Sequence, residues 1–490
     1  MNRNSLTTAV VAGIAGVVGI ANMANAVNLN PDGLGQVLLY PYYTVNNSQN
    51  TLLSVVNTTS NGKAVKVRFL EGYNSREVLD FNLFLSPYDV WTAAVFKLSD
   101  GGAAGDGAGI FTFDNSCTAP TFTSGPLGNG AGYQAFLHYA YTGSYSDGGP
   151  TDDTRTLEGH FEMISMADIT AGTLLTDITH VNGVPAKCSA AEALLEAGGA
   201  TVIPPTGGLF GAASIVNVGQ GTYYAYNADA IDGFTASTLV SSTGSLDPSL
   251  RDANDAGAGS DATAYVFNNG TLVSAVYSSS QAIDAVSALF DASNVYNQYQ
   301  HSSNGSVGSD WVVTFPTKRF YVDSLYAGSS APIAPFEHAF SDSKTTLGLS
   351  CDVVGISIFD REERTTSTPS CGFSPCPPGQ PDSSICHETN VITFGGADSS
   401  ILGSNLVSNI ASPFANGWVQ LSFTTAANGG TAKTGHDHAS RTDVNGTVFY
   451  GLPVSGFEAE NFVNGNLGGV LANYSGVYRH RNSRSVFLGS

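Results

Sequence analysis

The sequence predicts a mainly β protein: an immunoglobulin-like or jelly-roll antiparallel β-sandwich, one large or two smaller, with a loop-rich insert that contains short helices. Composition is the first reason. Only 12% of residues are charged, 56 are Gly, and 26 Phe and 21 Tyr supply the large side chains that suit a half-buried pleated surface. The second is pattern: short apolar runs alternate with polar residues at a period of two, and Gly- and Asn-rich stretches punctuate them.

In chain order the first element is a leader. Arg3 precedes an apolar run from Leu6 to Ile20, and Ala24-Asn25-Ala26 has the form of a cleavage site. Residues 1–26 therefore read as a secretory signal peptide, with the mature chain expected to begin at Val27. The run falls short of the ~20 apolar residues that a membrane span needs. The expected location is the cell surface or the extracellular space, with the periplasm as alternative, and without stable membrane insertion. The formal charge of −21, from 19 Lys and Arg against 40 Asp and Glu, disfavours nucleic acid and anionic lipid as partners and suits a soluble exported chain.

Residues 27–175 read as an N-terminal β-sandwich. Within Lys63 to Glu71, Val65, Val67 and Phe69 alternate with Lys66 and Arg68, which puts the apolar set on one face. The preceding run, Thr51 to Val56, is expected to join it as a hairpin through a turn closed by Asn61-Gly62. Val78 to Leu85 and Val90 to Phe96 continue the series, and four consecutive antiparallel strands suggest a sandwich. Gly101 to Gly109 and Gly125 to Gly132 read as surface loops. The latter lacks the strand-to-helix context of a phosphate-binding loop.

Residues 176–300 read as the loop-rich insert. Ser189 to Ala197 and Gln281 to Phe290, with Ile283, Val286 and Leu289 at helical spacing, are its short helices. Ser241 to Thr263 reads as a long exposed loop or a partly ordered insert. Residues 301–490 form a C-terminal β region with strands at Trp311 to Val322, Val353 to Phe359, Val391 to Phe394, Trp418 to Phe423, Thr447 to Pro453 and Val470 to Tyr478. Lys318 and Arg319, after Pro316, read as edge-strand charges. No fixed-period repeat is present.

Six cysteines, Cys117, Cys188, Cys351, Cys371, Cys376 and Cys386, follow an export signal and read as disulfides. Their spacing splits them into two groups, so Cys117 with Cys188 is preferred, with the other four paired among themselves. A c-type haem site is excluded because Ser383 stands where the first Cys of the motif belongs. Zinc held by Cys371, Cys376, Cys386 and His387 is the less favoured alternative to disulfides.

Several segments resemble a group of uncharacterised secreted proteins of proteobacteria. They are Gly35 to Tyr43 (GQVLLYPYY), Asp89-Val90-Trp91, Arg155 to Met166 (RTLEGHFEMISM), Asp310 to Val322 (DWVVTFPTKRFYV) and Gly451 to Tyr474 (GLPVSGFEAENFVNGNLGGVLANY). The resemblance spans most of the mature chain. It implies export and a shared β architecture, and it carries over no catalytic residue, ligand or cofactor.

Candidate chemistry is sparse, with no G-x-S-x-G, H-E-x-x-H or Walker sequence. His436-Asp437-His438 is the most ligand-like cluster, since a strand would place His436 and His438 on one face, but it adjoins Asn428-Gly429-Gly430 and a solvated polar loop is the favoured reading over a metal site. Calcium is the one ion the acidic loops suit, through Asp252, Asn254, Asp255 and Asp261, or through Asp147, Asp152 and Asp153. An EF-hand beginning at Asn28 is excluded because Leu39 stands at its twelfth position. Glu458 and Glu460 share a strand face at about 7 Å, a carboxylate spacing that an inverting glycosidase can use. Tyr40, Tyr42, Tyr43, Trp91, Trp311 and Trp418 are either core aromatics or a stacking platform for sugars.

The reading that follows is a non-catalytic exported structural protein of the cell surface or extracellular space. Its partners are further copies of itself or surface glycans, and the N-terminal Val27 to Gly35 segment is a candidate strand donor for polymerisation. A carbohydrate-binding or adhesive module is the first alternative. A secreted hydrolase of unrecognised type, acting through Glu458 or His438, is the second.

Overall fold

The strand Gly62–Glu71 forms where the period of two places it, yet all ten of its residues are buried. Val65, Val67 and Phe69 enter one apolar core, while Lys66 and Arg68 enter a layer of ion pairs on the other side. The second sheet covers its apolar side, and the backbone of Ser242 to Pro248 covers its charged side.

The computed structural model describes residues 26–122, 124–127, 130, 132–198, 200–328, 331–340, 348–367, 384–396, 399, 401–424 and 437–489. The expected leader, Cys371, Cys376 and His436 lie outside the described residues.

Four large sheets build the fold. The first runs Thr271–Tyr277, Ala262–Asn268, Val27–Leu29, Asp229–Asp232, Val37–Thr44, Glu158–Gly172, Gly62–Glu71, Glu77–Leu85 and Cys117–Ala119, with Ala200–Ile203 added beside Glu158–Gly172. The second runs Thr222–Asn227, Leu209–Asn217, Asn50–Asn57, Val90–Lys97, Ala108–Phe111, Gly132–Ala135 and Ser124–Pro126. The third is Thr365–Ser367, Gly355–Asp360, Asn416–Ser422, Asn294–Gln300 and Arg481–Ser483. The fourth is Val407–Ile410, Thr389–Phe394, Val307–Thr314, Ser455–Leu467 and Val470–Arg479. Pairing within them is antiparallel save where Val27–Leu29 meets Ala262–Asn268 and where Thr389–Phe394 meets Val407–Ile410.

Two cores hold these sheets, and each draws on both halves of the chain. Leu38, Tyr40, Val67 and Phe161 of the first sheet pack on Val55, Trp91 and Ile215 of the second, and Val312, Val391 and Phe457 of the fourth join the same cluster. Val37, Leu39 and Ile231 point the other way, into a cluster completed by the helix Ala282–Phe290 and by Trp311, Val313, Ile358 and Val419 of the third and fourth sheets. The architecture is two sandwiches fused through a shared interior. Thr314 marks the seam, its hydroxyl donating to the Pro41 carbonyl at 2.7 Å.

Val37–Thr44 lies at the centre despite containing Pro41. Its ladder with Glu158–Gly172 shifts register between Gly159 and Phe161, opposite the proline that has no N–H to donate. Gly159 permits this, since a Cβ there would lie 2.0 Å from the Leu70 carbonyl oxygen. Every residue of the strand is buried.

Several elements differ from the sequence expectation. Asn50–Asn57 and Gly62–Glu71 do not form a hairpin: they enter the second and first sheets, and the chain between them crosses the sandwich. Gly62 serves close packing rather than a turn, because a Cβ would meet Leu175 and Ile178 of the helix Thr173–Ile178 at 3.0 and 3.1 Å. Gly62–Glu71 instead makes its hairpin with Glu77–Leu85.

The helices Ala191–Glu196 and Ala282–Phe290 form as their spacing indicates. Residues 176–300 also hold six strands, at Ala200–Ile203, Leu209–Asn217, Thr222–Asn227, Asp229–Asp232, Ala262–Asn268 and Thr271–Tyr277, that complete the first and second sheets. The Ser- and Gly-rich stretch from Ser241 is docked, not free. The carbonyls of Ser242, Leu246 and Pro248 accept from Lys66 and Arg68 at 3.0, 3.0 and 2.9 Å. Val27–Leu29 is paired on both edges within its own sheet, so as a strand donor it already fills a slot in its own chain. Lys318 and Arg319 are not edge-strand charges: the strand ends at Thr314, and both side chains turn inward at 0% and 1% exposure.

Disulfides join Cys117 to Cys188 and Cys351 to Cys386. The first ties the edge strand Cys117–Ala119 to the segment leading into Ala191–Glu196. The second holds Asp352 close to His387 and Glu388, where the ionic layer ends.

Candidate functional site

Side chains capable of acid, base or charge chemistry gather where the two sandwiches meet. Glu71, at the end of its strand, accepts from Arg155 Nε at 2.8 Å and Nη2 at 2.9 Å, and from the backbone N–H groups of Tyr73, Asn74 and Arg76. Arg155 spends its remaining donors on Asp147 and on the Pro150 carbonyl, and its guanidinium lies 4.5 Å from the Tyr141 ring centroid. Burial opposes ionisation of Asp147, but the hydrogen bonds and charge of Arg155 outweigh it and hold this carboxyl below its usual range. Every polar atom of Arg155 is occupied.

The same layer crosses from one sandwich to the other. Glu162 Oε1 accepts from Arg68 at 3.2 Å and from Arg319 at 3.1 Å, Arg76 pairs with Asp323 at 3.1 Å, and Lys318 pairs with Asp352 at 2.9 Å. Glu388, His387 and His160 lie among these charges. Burial pushes the Glu388 carboxyl up to about 8 against the pull of Arg319 and Lys318. Burial, then Lys318 and Arg155, push His387 down to about 3, and burial, then Arg319, hold His160 well below the ordinary histidine range. Neutral acid and neutral imidazole beside fixed cations would suit proton transfer in a cleft, yet Glu388 and His160 are 0% exposed. Here they are enclosed in the protein, and neither the Glu388 carboxyl oxygens nor the His160 ring nitrogens have a hydrogen-bond partner among the described residues.

Of three surface grooves, one borders this layer without opening it. One of about 460 Å³ runs past Tyr73, Arg155, Glu158 and Asn405, but Glu158 is itself fully engaged by Tyr42, Asn46, Ser404 and the Asn405 N–H at 2.6 to 3.1 Å. Another, of about 320 Å³, is lined by His301 and Asp310, and Asp310 accepts from the Leu402 N–H at 2.9 Å and from Ser399. Burial raises Asp310 to about 6 against those bonds. A third, of about 340 Å³, is an apolar dip formed by Leu52, Ala94, Phe96 and Phe111 on the outside of the second sheet.

The residues singled out from sequence fall in separate places. His438 is 1% exposed, and both ring nitrogens lie against backbone carbonyls, of Pro335 at 2.8 Å and Val353 at 3.0 Å. Asp252 caps the turn at Ser249, accepting its N–H at 2.6 Å, and Asp255 accepts the Thr263 N–H at 2.8 Å. Asp152 caps its own turn through Thr154. Among the described residues no three His, Cys, Asp or Glu side chains gather as metal ligands. Glu458 and Glu460 do share a face. Glu458 is 0% exposed and accepts from Ser309 at 2.8 Å, with burial raising it to about 8, and Glu460 accepts from Gln300 at 2.6 Å.

Of the six aromatics weighed as a sugar platform, Tyr40, Tyr42, Tyr43, Trp91 and Trp311 are 0% exposed. Trp418 alone faces solvent, at 40% exposure, on the outer side of the third sheet. Phe359 stacks on it with ring centroids 4.1 Å apart and planes 9° apart, and Tyr296 lies 6.3 Å away. Phe359 and Tyr296 escaped the sequence reading. The alternation of their strands, with Ile356 and Ile358 inward and Phe359 outward, was the signal available. Comparison with family models, with curated proteins and with solved structures gave no match.

Arg155→Met is expected to leave Glu71 buried without its ion-pair partner and Asp147 with Arg76 alone at 3.8 Å, and to cost about 3–5 kcal/mol, read from urea unfolding midpoints. Glu458→Gln tests the pH linkage. Native Glu458 keeps its proton to about pH 8 whereas an unfolded Glu loses it near 4.5, so the native state binds the extra proton between those values and wild-type stability declines as pH rises through them. Thermal melts at a series of pH values should show the Gln variant gaining on wild type across that window.

Proposed function

We propose that this chain is a non-catalytic exported protein, a structural component of a bacterial cell surface or of the matrix outside it. The observation that carries the reading is the use of its reactive side chains. Arg319 and Arg76 pair across the junction of the two sandwiches with Glu162 and Asp323, while Glu71 with Arg155 and Lys318 with Asp352 fix the chain on either side of it; all are buried, and of these Arg155 borders a surface groove with every guanidinium donor already spent. His438 and Glu458, the residues on which a hydrolase reading rests, are likewise buried.

Two disulfides belong with an oxidising compartment. Among the described residues no helix is long and apolar enough to cross a membrane. The resemblance to secreted proteobacterial proteins points the same way. A surface for self-association is offered by the hairpin Ser455–Leu467 and Val470–Arg479, whose far end exposes Leu467, Val470, Leu471 and Tyr474. No charged residue occurs from Asn461 to Tyr478. In a chain of net charge −21, an uncharged apolar arm is where two copies can meet without like-charge repulsion.

Fractionation of the native host into periplasm, surface and medium, followed by negative-stain microscopy of the recovered protein, tests this. Surface-bound or extracellular assemblies are expected, and a Val470→Asp, Leu471→Asp variant should remain folded yet fail to assemble. A strictly monomeric protein confined to the soluble periplasm would overturn the reading.

A further inference from the structure

We propose that the outer face of the third sheet is a binding site for a neutral polysaccharide, with Trp418 as its principal stacking residue. Val295, Ile356, Ile358, Val419 and Leu421 turn inward to the core, so the alternate positions of the same strands form the open face. Those positions carry Tyr296, Phe359 and Trp418 among amides and hydroxyls.

Register sets the order across the face. Phe359 pairs with Trp418, and Trp418 pairs with Gln298 on the next strand. Phe359 covers one side of the indole, so the indole's other side is turned toward the strand of Gln298. Beyond that strand lies Tyr478, a second exposed aromatic at 46%, whose backbone carbonyl accepts from Asn297 at 2.9 Å. The Tyr478 side chain lies beside Glu460, the acceptor of Gln300, and Trp418 lies opposite Gln298 in the strand pair.

The polar groups between them are anchored from beneath. Gln300 donates to Glu460 at 2.6 Å, Gln298 lies beside the Glu458 carboxyl, and Gln420 donates to Asn294 at 2.7 Å. An amide has two donor hydrogens and two acceptor lone pairs, so one internal bond fixes its orientation and leaves capacity for a ligand. The apolar C–H face of a pyranose packs on an aromatic ring while its equatorial hydroxyls, each both donor and acceptor, match amides at the ring's rim. This pairing distinguishes a sugar from a lipid, which has no use for the amides.

Charge selects among glycans. The outward positions of Asn294–Gln300, Gly355–Asp360 and Asn416–Ser422 hold no Lys, Arg, Asp or Glu; at the margin Arg481 stands opposite Tyr296 and the Glu460 carboxylate lies in the floor, so the face carries one charge of each sign and no cluster to hold an ionic polymer. The committed ligand is therefore an uncharged polysaccharide. The site borders the near end of the hairpin whose far end, at Leu467 to Tyr474, is the assembly surface, and it does not rest on assembly.

Trp418 is also the reporter, because the chain's other two Trp residues are fully buried. A chain of residues 27–490 is titrated with soluble xyloglucan, mixed-linkage β-glucan, dextran and mannan, with alginate as anionic control, while tryptophan emission and acrylamide quenching are followed. At least one neutral polymer should shift the emission to the blue and protect it from quenching. Affinity electrophoresis in gels containing that polymer should show retardation weakened about ten-fold in Trp418→Ala and weakened to a smaller extent in Gln298→Ala, with far-UV circular dichroism unchanged. No response to any neutral polymer, binding of alginate alone, or retardation of folded Trp418→Ala equal to wild type would each overturn the proposal.

Discussion

Glu162 is held at 0% exposure with one carboxylate oxygen shared between Arg68 of the N-terminal sandwich and Arg319 of the C-terminal one. Taking three charges out of water costs several kcal/mol per ion, and only close pairing with well-oriented donors offsets it. That requirement fixes the strands Gly62–Glu71 and Glu158–Gly172 against the short helix Arg319–Val322 better than apolar packing does, since apolar contact tolerates sliding and a shared carboxylate does not. The rest of the layer follows from it. Arg68 completes its donors with Glu77 and the Pro248 carbonyl, and Lys318 binds Asp352 beside the Cys351–Cys386 disulfide.

Ions on one side and aromatic packing on the other explain why every residue of Gly62–Glu71 is buried. Phe69, Phe161 and Tyr40 stack at 4.8 and 4.1 Å between centroids on the face toward the second sheet. On the opposite face, loops that carry no strand of their own, such as Ser241 to Pro248, act as lids whose carbonyls receive the cations. Low sequence complexity there is compatible with order because the backbone, and not the side chains, makes the contacts.

The β class, the positions of most strands, the two short helices and the Cys117–Cys188 pairing were legible in the sequence, because each rests on local pattern or on spacing along the chain. Period two in Lys63 to Glu71 sorted Val65, Val67 and Phe69 from Lys66 and Arg68 correctly. It carried no information that a distant loop covers the charged side, so a solvent face was the natural inference. Asn61-Gly62 misled for a related reason: the dipeptide reports a turn, but whether the strands around it pair or part depends on partners far away. Lys318 and Arg319 read as edge charges because their acidic partners, Asp352 and Glu162, are remote. The aromatic face was half legible. Trp418 was among the candidates, while its neighbours Phe359 and Tyr296 became visible only through cross-strand register.

The central claim is that the two sandwiches are one cooperative unit, joined by the ionic layer and by cores to which both contribute. Native-state hydrogen exchange of residues 27–490 measures this most directly. The slowest amides of Gly62–Glu71 and Glu158–Gly172 should share one opening free energy with those of Val307–Thr314 and Ser455–Leu467, as expected for a single global unfolding event. A C-terminal set that opens at a clearly lower free energy, with the N-terminal set still protected, would contradict the account.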